Sequence, residues 1–199
     1  MEDDSAVFKN LNTPQKIQDF LDTIAINFEK NGETLMSPRR VLREKKSHCI
    51  EAALLAAAAL SYHGARPLLL DLKASKHDYD HVVALYKKNN FWGAISKSNH
   101  ASLRFRDPVY KTVRELALSY FHEYFENKKG KKTLRSYSRP FNLNKYGKKW
   151  LTSEENLWHI AQDLDDSPHF PIAPLKNIKK ARPADKMELR AGKLTEWKK

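Results

Sequence analysis

The sequence predicts an α+β domain in which a buried helix packs on a small antiparallel sheet, with further helices on its flanks. Residues 50–62 are apolar on nearly every side, which is typical of a buried helix rather than an amphipathic one. Three short strand-like runs follow it, at residues 67–73, 79–87 and 91–96. Amphipathic stripes before and after this stretch predict the flanking helices.

Length and composition bound the organisation of the chain. With 199 residues, 41% of them hydrophobic and 30% charged, it has the size and balance of one globular domain. We expect a single domain over residues 1–175 and a basic C-terminal tail over 176–199, with a short helix at 185–191. The longest apolar stretch, 52–60, is too short to span a membrane, and the acidic first residues do not fit a secretory signal. These features favour a cytoplasmic location.

The N-terminal part of the chain predicts helical structure ahead of the buried helix. Residues 1–12 have the character of a frayed end. Thr13 is suited to cap a helix that runs to about Lys30, because Pro14 then occupies the first helical position. A short basic helical turn follows over residues 37–46. The apolar stripe of the first helix consists of Ile17, Phe20, Leu21, Ile24 and Phe28.

The strand-like runs at 79–87 and 91–96 predict a β-hairpin. Between them, Asn89 and Asn90 tolerate the left-handed backbone conformation that tight hairpin turns require. If these two residues form the turn, cross-strand partners have residue numbers that sum to 179. The register of the hairpin is therefore part of the prediction.

The second half of the chain predicts two more helices and an extended segment. Asp107-Pro108 opens a helix over 109–126. Thr152 with Glu155 has the pattern of a capping box for a helix over 153–165. An extended strap then contains three prolines, Pro168, Pro171 and Pro174.

Cys49 is the single cysteine, which excludes an internal disulfide and a Cys-rich zinc finger. It stands at the start of the buried helix, where roughly half a positive charge and unpaired N–H donors gather. Both features favour the thiolate, so we expect a lowered pKa and a nucleophilic sulfur. The same N–H groups could stabilise a developing oxyanion.

A thiolate nucleophile needs a basic partner, and His81 is the candidate. The hairpin register places it opposite Ser98, with Ser96 as a diagonal neighbour on the same face. A third group must orient the imidazole, and Ser96, Ser98 or, after a slip of one residue, Asn99 could do so. Asp71 is a second candidate for this role, because a carboxylate within an apolar strand needs a partner.

Four stretches carry this pattern: Ser47-His48-Cys49-Ile50-Glu51-Ala52-Ala53, Leu68-Leu69-Leu70-Asp71-Leu72, Asp80-His81-Val82-Val83-Ala84-Leu85 and Phe91-Trp92-Gly93-Ala94-Ile95-Ser96. Their order, over about residues 37–100, resembles the transglutaminase-like superfamily, within the papain-like cysteine fold. The resemblance implies that Cys49 is the nucleophile and His81 the base, in acyl transfer on peptide or amide carbonyls by hydrolysis or transamidation. The family usually has an aspartate about four residues after the tryptophan, where this chain has Ser96. That departure leaves orientation of the imidazole to a neutral serine or to Asn99.

A catalytically inactive binding module is the alternative to an enzyme. Cys49 and His81 can each be ordinary core residues, and Ser96 weakens the case for catalysis. The basic excess lies in residues 101–199, which carry 22 Lys/Arg and 12 Asp/Glu residues, whereas residues 1–100 carry 14 and 12. That half could meet an acidic protein, nucleic acid or an anionic membrane surface, or be a solvated surface.

The sequence predicts no cofactor and no resident metal. Its six glycines are scattered, so no glycine-rich loop can cradle a phosphate. A zinc site of His48, Cys49, His77 and His81 is a weaker hypothesis. The four-residue spacing of His77 and His81 suits two ligands on a helix, but these residues fall in a predicted loop and a predicted strand. Other histidines are scattered and indicate structural roles, among them His100, His122, His159 and His169.

Overall fold

The computed structural model describes residues 2–198 and shows a mixed α+β architecture. Eight α-helices lie in this part of the chain, with two short 3-10 helices at Leu143–Tyr146 and Lys149–Leu151. In chain order the α-helices are α1 (Glu2–Asn10), α2 (Pro14–Thr23), α3 (Pro38–Glu44), α4 (Cys49–Tyr62), α5 (Val113–Ser119), α6 (Trp158–Asp165), α7 (Leu175–Lys179) and α8 (Lys186–Gly192). The strands are β1 (Ala25–Ile26), β2 (Lys46–Ser47), β3 (Leu68–Ala74), β4 (His81–Lys88), β5 (Phe91–Ile95), β6 (Arg106–Tyr110), β7 (Leu134–Ser138), β8 (Phe141–Asn142) and β9 (His169–Pro171).

A seven-stranded sheet, antiparallel at every pairing, forms the centre of the molecule. Its strand order is β6-β5-β4-β3-β7-β9, and β8 also pairs with β3. The three strands predicted from the sequence are confirmed as β3, β4 and β5, and they lie side by side in this sheet. The remaining four strands were not predicted. β1 and β2 form a separate, short parallel pair.

The β4–β5 hairpin has the predicted turn and the predicted register. Asn89 and Asn90 both adopt positive φ, at 50° and 66°, as a type I′ turn requires. Ala84 pairs with Ile95, so the partner numbers sum to 179 as expected. A two-residue asparagine turn therefore sets which side chains of the two strands share a face.

Helix α4 is buried along its length, as its all-round apolar sequence predicts. Every residue from Ile50 to Leu60 is buried, and its alanines let the sheet approach closely. Leu69, Val82 and Ala84 of the facing strands belong to the same core. The opposite face of the sheet carries a second core that includes Leu116 of α5. Burial on the sheet thus fixes the position of the first turn of α4.

The predicted helix from Thr13 to Lys30 is too long, although its cap is confirmed. The Thr13 side chain accepts a hydrogen bond from the Lys16 N–H, and α2 ends at Thr23. The next residues adopt an extended conformation, because the backbone N–H groups of Ala25 and Asn27 donate to the carbonyl oxygens of Lys45 and Ser47, beside and within β2. Tertiary pairing here overrides the helical periodicity. The expected frayed end contains α1.

The predicted helix over 109–126 is wrong at both ends, because α5 covers only Val113–Ser119. Asp107-Pro108 lies within β6, which pairs with β5 at one edge of the sheet, where a proline is tolerated. The helix begins later, capped by the Thr112 side chain, which accepts from the Glu115 N–H. The predicted capping box at Thr152 is also wrong, because α6 begins only at Trp158.

The prolines and the basic C-terminal residues are more ordered than a strap and a tail. Residues 169–171 form β9, which pairs with β7. The helix expected at 185–191 is confirmed as α8, capped by Asp185. After it, the chain returns to the loop that follows β5, where the Ala101 N–H donates to the Leu194 carbonyl at 3.1 Å. Among the described residues, no helix combines the length and apolar character needed to cross a membrane.

Candidate active site

A cleft of about 440 Å³ opens where α4 and β4 both begin. The first residue of α4, Cys49, and the first residue of β4, His81, both line it. Aromatic residues form part of its wall, with Phe28 and Tyr124 among them. The two residues that the sequence predicts as nucleophile and base therefore face one solvent-connected cavity.

Cys49 is half-buried and contacts two imidazoles. Burial of the sulfur raises the pKa of the Cys49 thiol, but hydrogen bonds to the His48 and His81 side chains and their positive charge outweigh it. The pKa of Cys49 is therefore held well below its usual range. The position at the helix N-terminus acts in the same direction. Both effects favour the thiolate over the thiol.

His81 is held by Ser96 in one tautomer. Its Nε2 lies 2.8 Å from the Ser96 hydroxyl oxygen. That hydroxyl has a single proton, which it donates to the Leu103 carbonyl oxygen in a short hydrogen bond. The Ser96 oxygen must then accept from His81, so Nε2 carries a proton. The other ring nitrogen, Nδ1, is left to accept the proton of the Cys49 thiol.

Ser96 is itself positioned by Gln18 of α2. The Gln18 amide donates to the Ser96 carbonyl at 2.8 Å and accepts from the Ser96 N–H at 3.0 Å. These bonds lie in the protein interior, where Gln18 is 7% exposed. Sequence reasoning missed Gln18. Its one signal is that a polar amide falls beside the apolar stripe of α2, between Ile17 and Leu21.

His48, the residue before α4, is a second partner of the thiol that sequence reasoning did not assign to this role. Its Nε2 lies 3.0 Å from the Thr34 carbonyl oxygen. Burial lowers the pKa of His48, but the hydrogen bond and negative charge of Cys49 and the charge of Glu51 raise it to about 9. His48 therefore supplies a positive charge next to the sulfur. Its adjacency to Cys49 was the available signal.

Glu51 anchors this corner of the molecule. Its carboxylate is fully buried and accepts from the Thr34 hydroxyl at 2.7 Å and from the backbone N–H of Met36 and His48 at 2.9 and 3.0 Å. The Asn27 amide donates a fourth bond at 3.2 Å. The same carboxylate lies 3.4 Å from Nε2 of His48. Glu51 thus fixes the backbone at the helix start and offsets the charge of His48.

Other predicted residues do not contact the imidazole of His81. The Ser98 hydroxyl accepts from the His100 N–H at 3.1 Å. The Asn99 amide makes two hydrogen bonds to the backbone of Trp197, at 2.8 and 3.0 Å, so it does not orient His81. Ser98 and Asn99 both line the cleft. Of the residues predicted to orient His81, Ser96 is the one that is hydrogen-bonded to its imidazole.

Two further sequence hypotheses are wrong. Asp71 does not orient His81, because its carboxylate pairs with His169 at 3.1 Å. His77 is exposed and is absent from the residues that line the cleft, so the zinc set with His48, Cys49 and His81 is not assembled. Over the described part of the chain, the grouped metal-ligating side chains lie elsewhere.

We compared the chain with known proteins. No family model matches it, and the comparison with curated proteins gives no match either.

Proposed function

We propose that this protein is a cysteine-dependent acyl-transfer enzyme of the transglutaminase-like type, with Cys49 as nucleophile and His81 as base. The observation that carries the proposal is that Cys49 and His81 line one open cleft, in which the His81 ring is hydrogen-bonded to Ser96. Nucleophile, base and orienting group occur in the order that such catalysis requires. The resemblance of residues 37–100 to the superfamily supports the same assignment.

The mechanism follows from the protonation states. The Cys49 thiol gives its proton to Nδ1 of His81, and the thiolate attacks the carbonyl carbon of an amide. A C–S bond forms, and the oxyanion is stabilised by N–H groups at the start of α4. Protonated His81 returns its proton to the leaving amine as the C–N bond breaks, which leaves a thioester on Cys49. Water or a second amine, deprotonated by His81, then releases the acyl group.

Ser96 stands where the family usually has an aspartate, and His48 can make up for part of the charge stabilisation that such a carboxylate would provide. A carboxylate in this position would stabilise a charged His81 imidazole, whereas the serine hydroxyl only fixes its tautomer. His48, whose pKa is raised to about 9, provides a second positive charge for the thiolate. We therefore assign thiolate stabilisation mainly to His48 and proton transfer to His81.

Formation of the thioester tests the proposal. The full chain is incubated with a panel of short peptides bearing carboxamides, and ammonia release and the intact mass of the protein are followed. We expect an acyl adduct on the wild type, none on Cys49→Ala, and a strongly slowed reaction in His81→Gln. The matched control is His77→Gln, which changes an exposed histidine outside the cleft. Added primary amine distinguishes transamidation from hydrolysis by the mass of the product.

Two results would contradict the enzymatic proposal. One is the absence of both ammonia and adduct across the whole panel. The other is turnover that persists in Cys49→Ala, because that chain has no cysteine.

A binding module without catalysis is the second candidate. It is favoured by the neutral Ser96 and by the exposed basic side chains of the C-terminal segment. These are Lys176, Lys179, Lys180, Arg182, Lys186, Arg190, Lys193 and Lys198. Binding of a labelled oligonucleotide and of a polyglutamate peptide at two salt concentrations tests it. Affinity that falls steeply with salt supports this candidate, and no binding at low salt removes it.

A further inference from the structure

We infer that the protein binds one divalent cation of the Mn²⁺ class through the carboxylates of Asp71, Asp80 and Asp165. We call these three residues the aspartate cluster. Asp80 also lines the cleft that contains Cys49 and His81, but the proposed acyl transfer gives the cluster no role, so the inference does not rest on it.

The fold brings the aspartate cluster together from separate elements. Asp71 of β3 pairs with Val82 of β4, so Asp80, two residues before Val82, lies on the same face of the sheet. Asp165 is the last residue of α6, and His169 is the first of β9. One oxygen from each of the three carboxylates lies within 4.8 Å of the others. A cation with metal–oxygen distances of about 2 Å can bridge such a group after small side-chain rotations.

Asp71 supplies an independent sign that a ligand belongs here. The residue is 3% exposed, and its Oδ1 is buried with no hydrogen-bond partner in the described chain. A buried carboxylate oxygen without a donor is costly, and such groups are normally paired or bound to a metal. The neighbouring charge of Asp80 makes the position still less favourable without a cation.

His169 orients Asp71. Its Nδ1 lies 2.7 Å from the Ser167 carbonyl oxygen, which fixes the ring. Its Nε2 lies 3.1 Å from Oδ2 of Asp71, so the other oxygen of that carboxylate, Oδ1, is left without a protein partner. Partners of this kind hold ligating carboxylates in place at metal sites.

Lys73 is the internal competitor for the cation. Its ammonium group contacts Oδ1 of Asp165, and it neutralises part of the cluster when no metal is bound. The Asp165 side chain is 52% exposed, which gives an ion from solvent a route to the site. Three carboxylates make an all-oxygen ligand set, which suits Mn²⁺ better than softer metals.

Mn²⁺ titration of the full chain, followed by the EPR signal of free Mn²⁺, tests the inference. We expect one ion per chain, and at least a tenfold weaker affinity in Asp71→Asn, Asp80→Asn and Asp165→Asn. The control is Asp166→Asn, an exposed neighbour of Asp165 whose substitution should leave the affinity unchanged. Asp165→Asn changes an exposed side chain, so it reports on the site even if a core variant fails to fold.

Two more variants sharpen the test. Lys73→Met removes the competing ammonium and should strengthen Mn²⁺ binding. Cys49→Ala should bind Mn²⁺ like the wild type, because the thiol is not one of the ligands. The inference is overturned by the absence of saturable binding, by wild-type affinity in both Asp165→Asn and Asp80→Asn, or by loss of binding in Cys49→Ala.

Discussion

Two neighbouring sites each pair a buried carboxylate with a histidine, yet they are built differently. At the start of α4, Glu51 lies beside His48, and both of its oxygens accept hydrogen bonds. In β3, Asp71 lies beside His169, and its Oδ1 accepts none. The first carboxylate is part of the scaffold because every lone pair that it buries has a donor. The second retains binding capacity, which is why we assign a ligand to it and not to Glu51.

The largest expected effect comes from removing the satisfied carboxylate. Glu51→Ala leaves the Thr34 hydroxyl and the Met36 N–H without their acceptor. It also removes the carboxylate that offsets the positive charge of His48. We expect a loss of about 3–5 kcal/mol in the free energy of unfolding, measured by urea denaturation. Glu154→Ala, which removes an exposed carboxylate paired with Arg43, should leave stability nearly unchanged. Equal stability of the two variants would contradict the role given to Glu51.

Ser96→Ala tests whether the hydroxyl orients His81. Without that oxygen, Nε2 loses its acceptor and the productive tautomer is no longer enforced. We expect thioester formation to slow by about 100-fold, while Ser98→Ala reacts like the wild type. A wild-type rate in Ser96→Ala would show that another group sets the tautomer.

Gln18→Leu tests the support behind Ser96. The substitution removes both hydrogen bonds to the Ser96 backbone but leaves the hydroxyl in the chain. We expect about a tenfold slower thioester formation, because misplacement of the orienting group weakens but does not abolish the contact. Gln162→Leu, which alters an exposed amide of α6, is the control. A defect as large as that of Ser96→Ala would mean that Gln18 does more than position the backbone.

The smallest expected effect is that of Asp71→Ala in metal-free solution. The variant removes a carboxylate with an unpaired oxygen, and His169 keeps its hydrogen bond to the Ser167 carbonyl. We expect a change of only about 1 kcal/mol in the free energy of unfolding. A loss as large as that of Glu51→Ala would remove the contrast between the two carboxylates.

Local sequence was sufficient for the centre of the fold. The apolar character of 50–62 predicts α4, and Asn89-Asn90 predicts both the hairpin and its register. Cys49 and His81 come together because α4 packs on β4, and only β3 separates these two elements along the chain. The sequence predicts Ser96 on the same face as His81 because side chains alternate between the two faces of a strand. This alternation depends only on neighbouring residues.

Contacts between distant segments could not be predicted in the same way. Gln18 meets Ser96 across 78 residues, and His169 meets Asp71 across 98. No periodicity links such pairs, because each depends on where whole elements pack. The same reason explains the helix that was predicted to extend to Lys30: its residues satisfy backbone bonds with β2 instead of with the next helical turn.

The pH dependence of alkylation at Cys49 tests the central claim most directly, because the chain has no other thiol. Iodoacetamide reacts with the thiolate, and the thiol of an unperturbed cysteine has a pKa of about 8.5. Since the pKa of Cys49 is lowered, we predict rapid reaction at pH 6 in the wild type, with the midpoint moved upward in His48→Gln and His81→Gln and unchanged in His77→Gln. Reaction only above pH 8 in the wild type, or a midpoint that neither site histidine changes, would contradict the account.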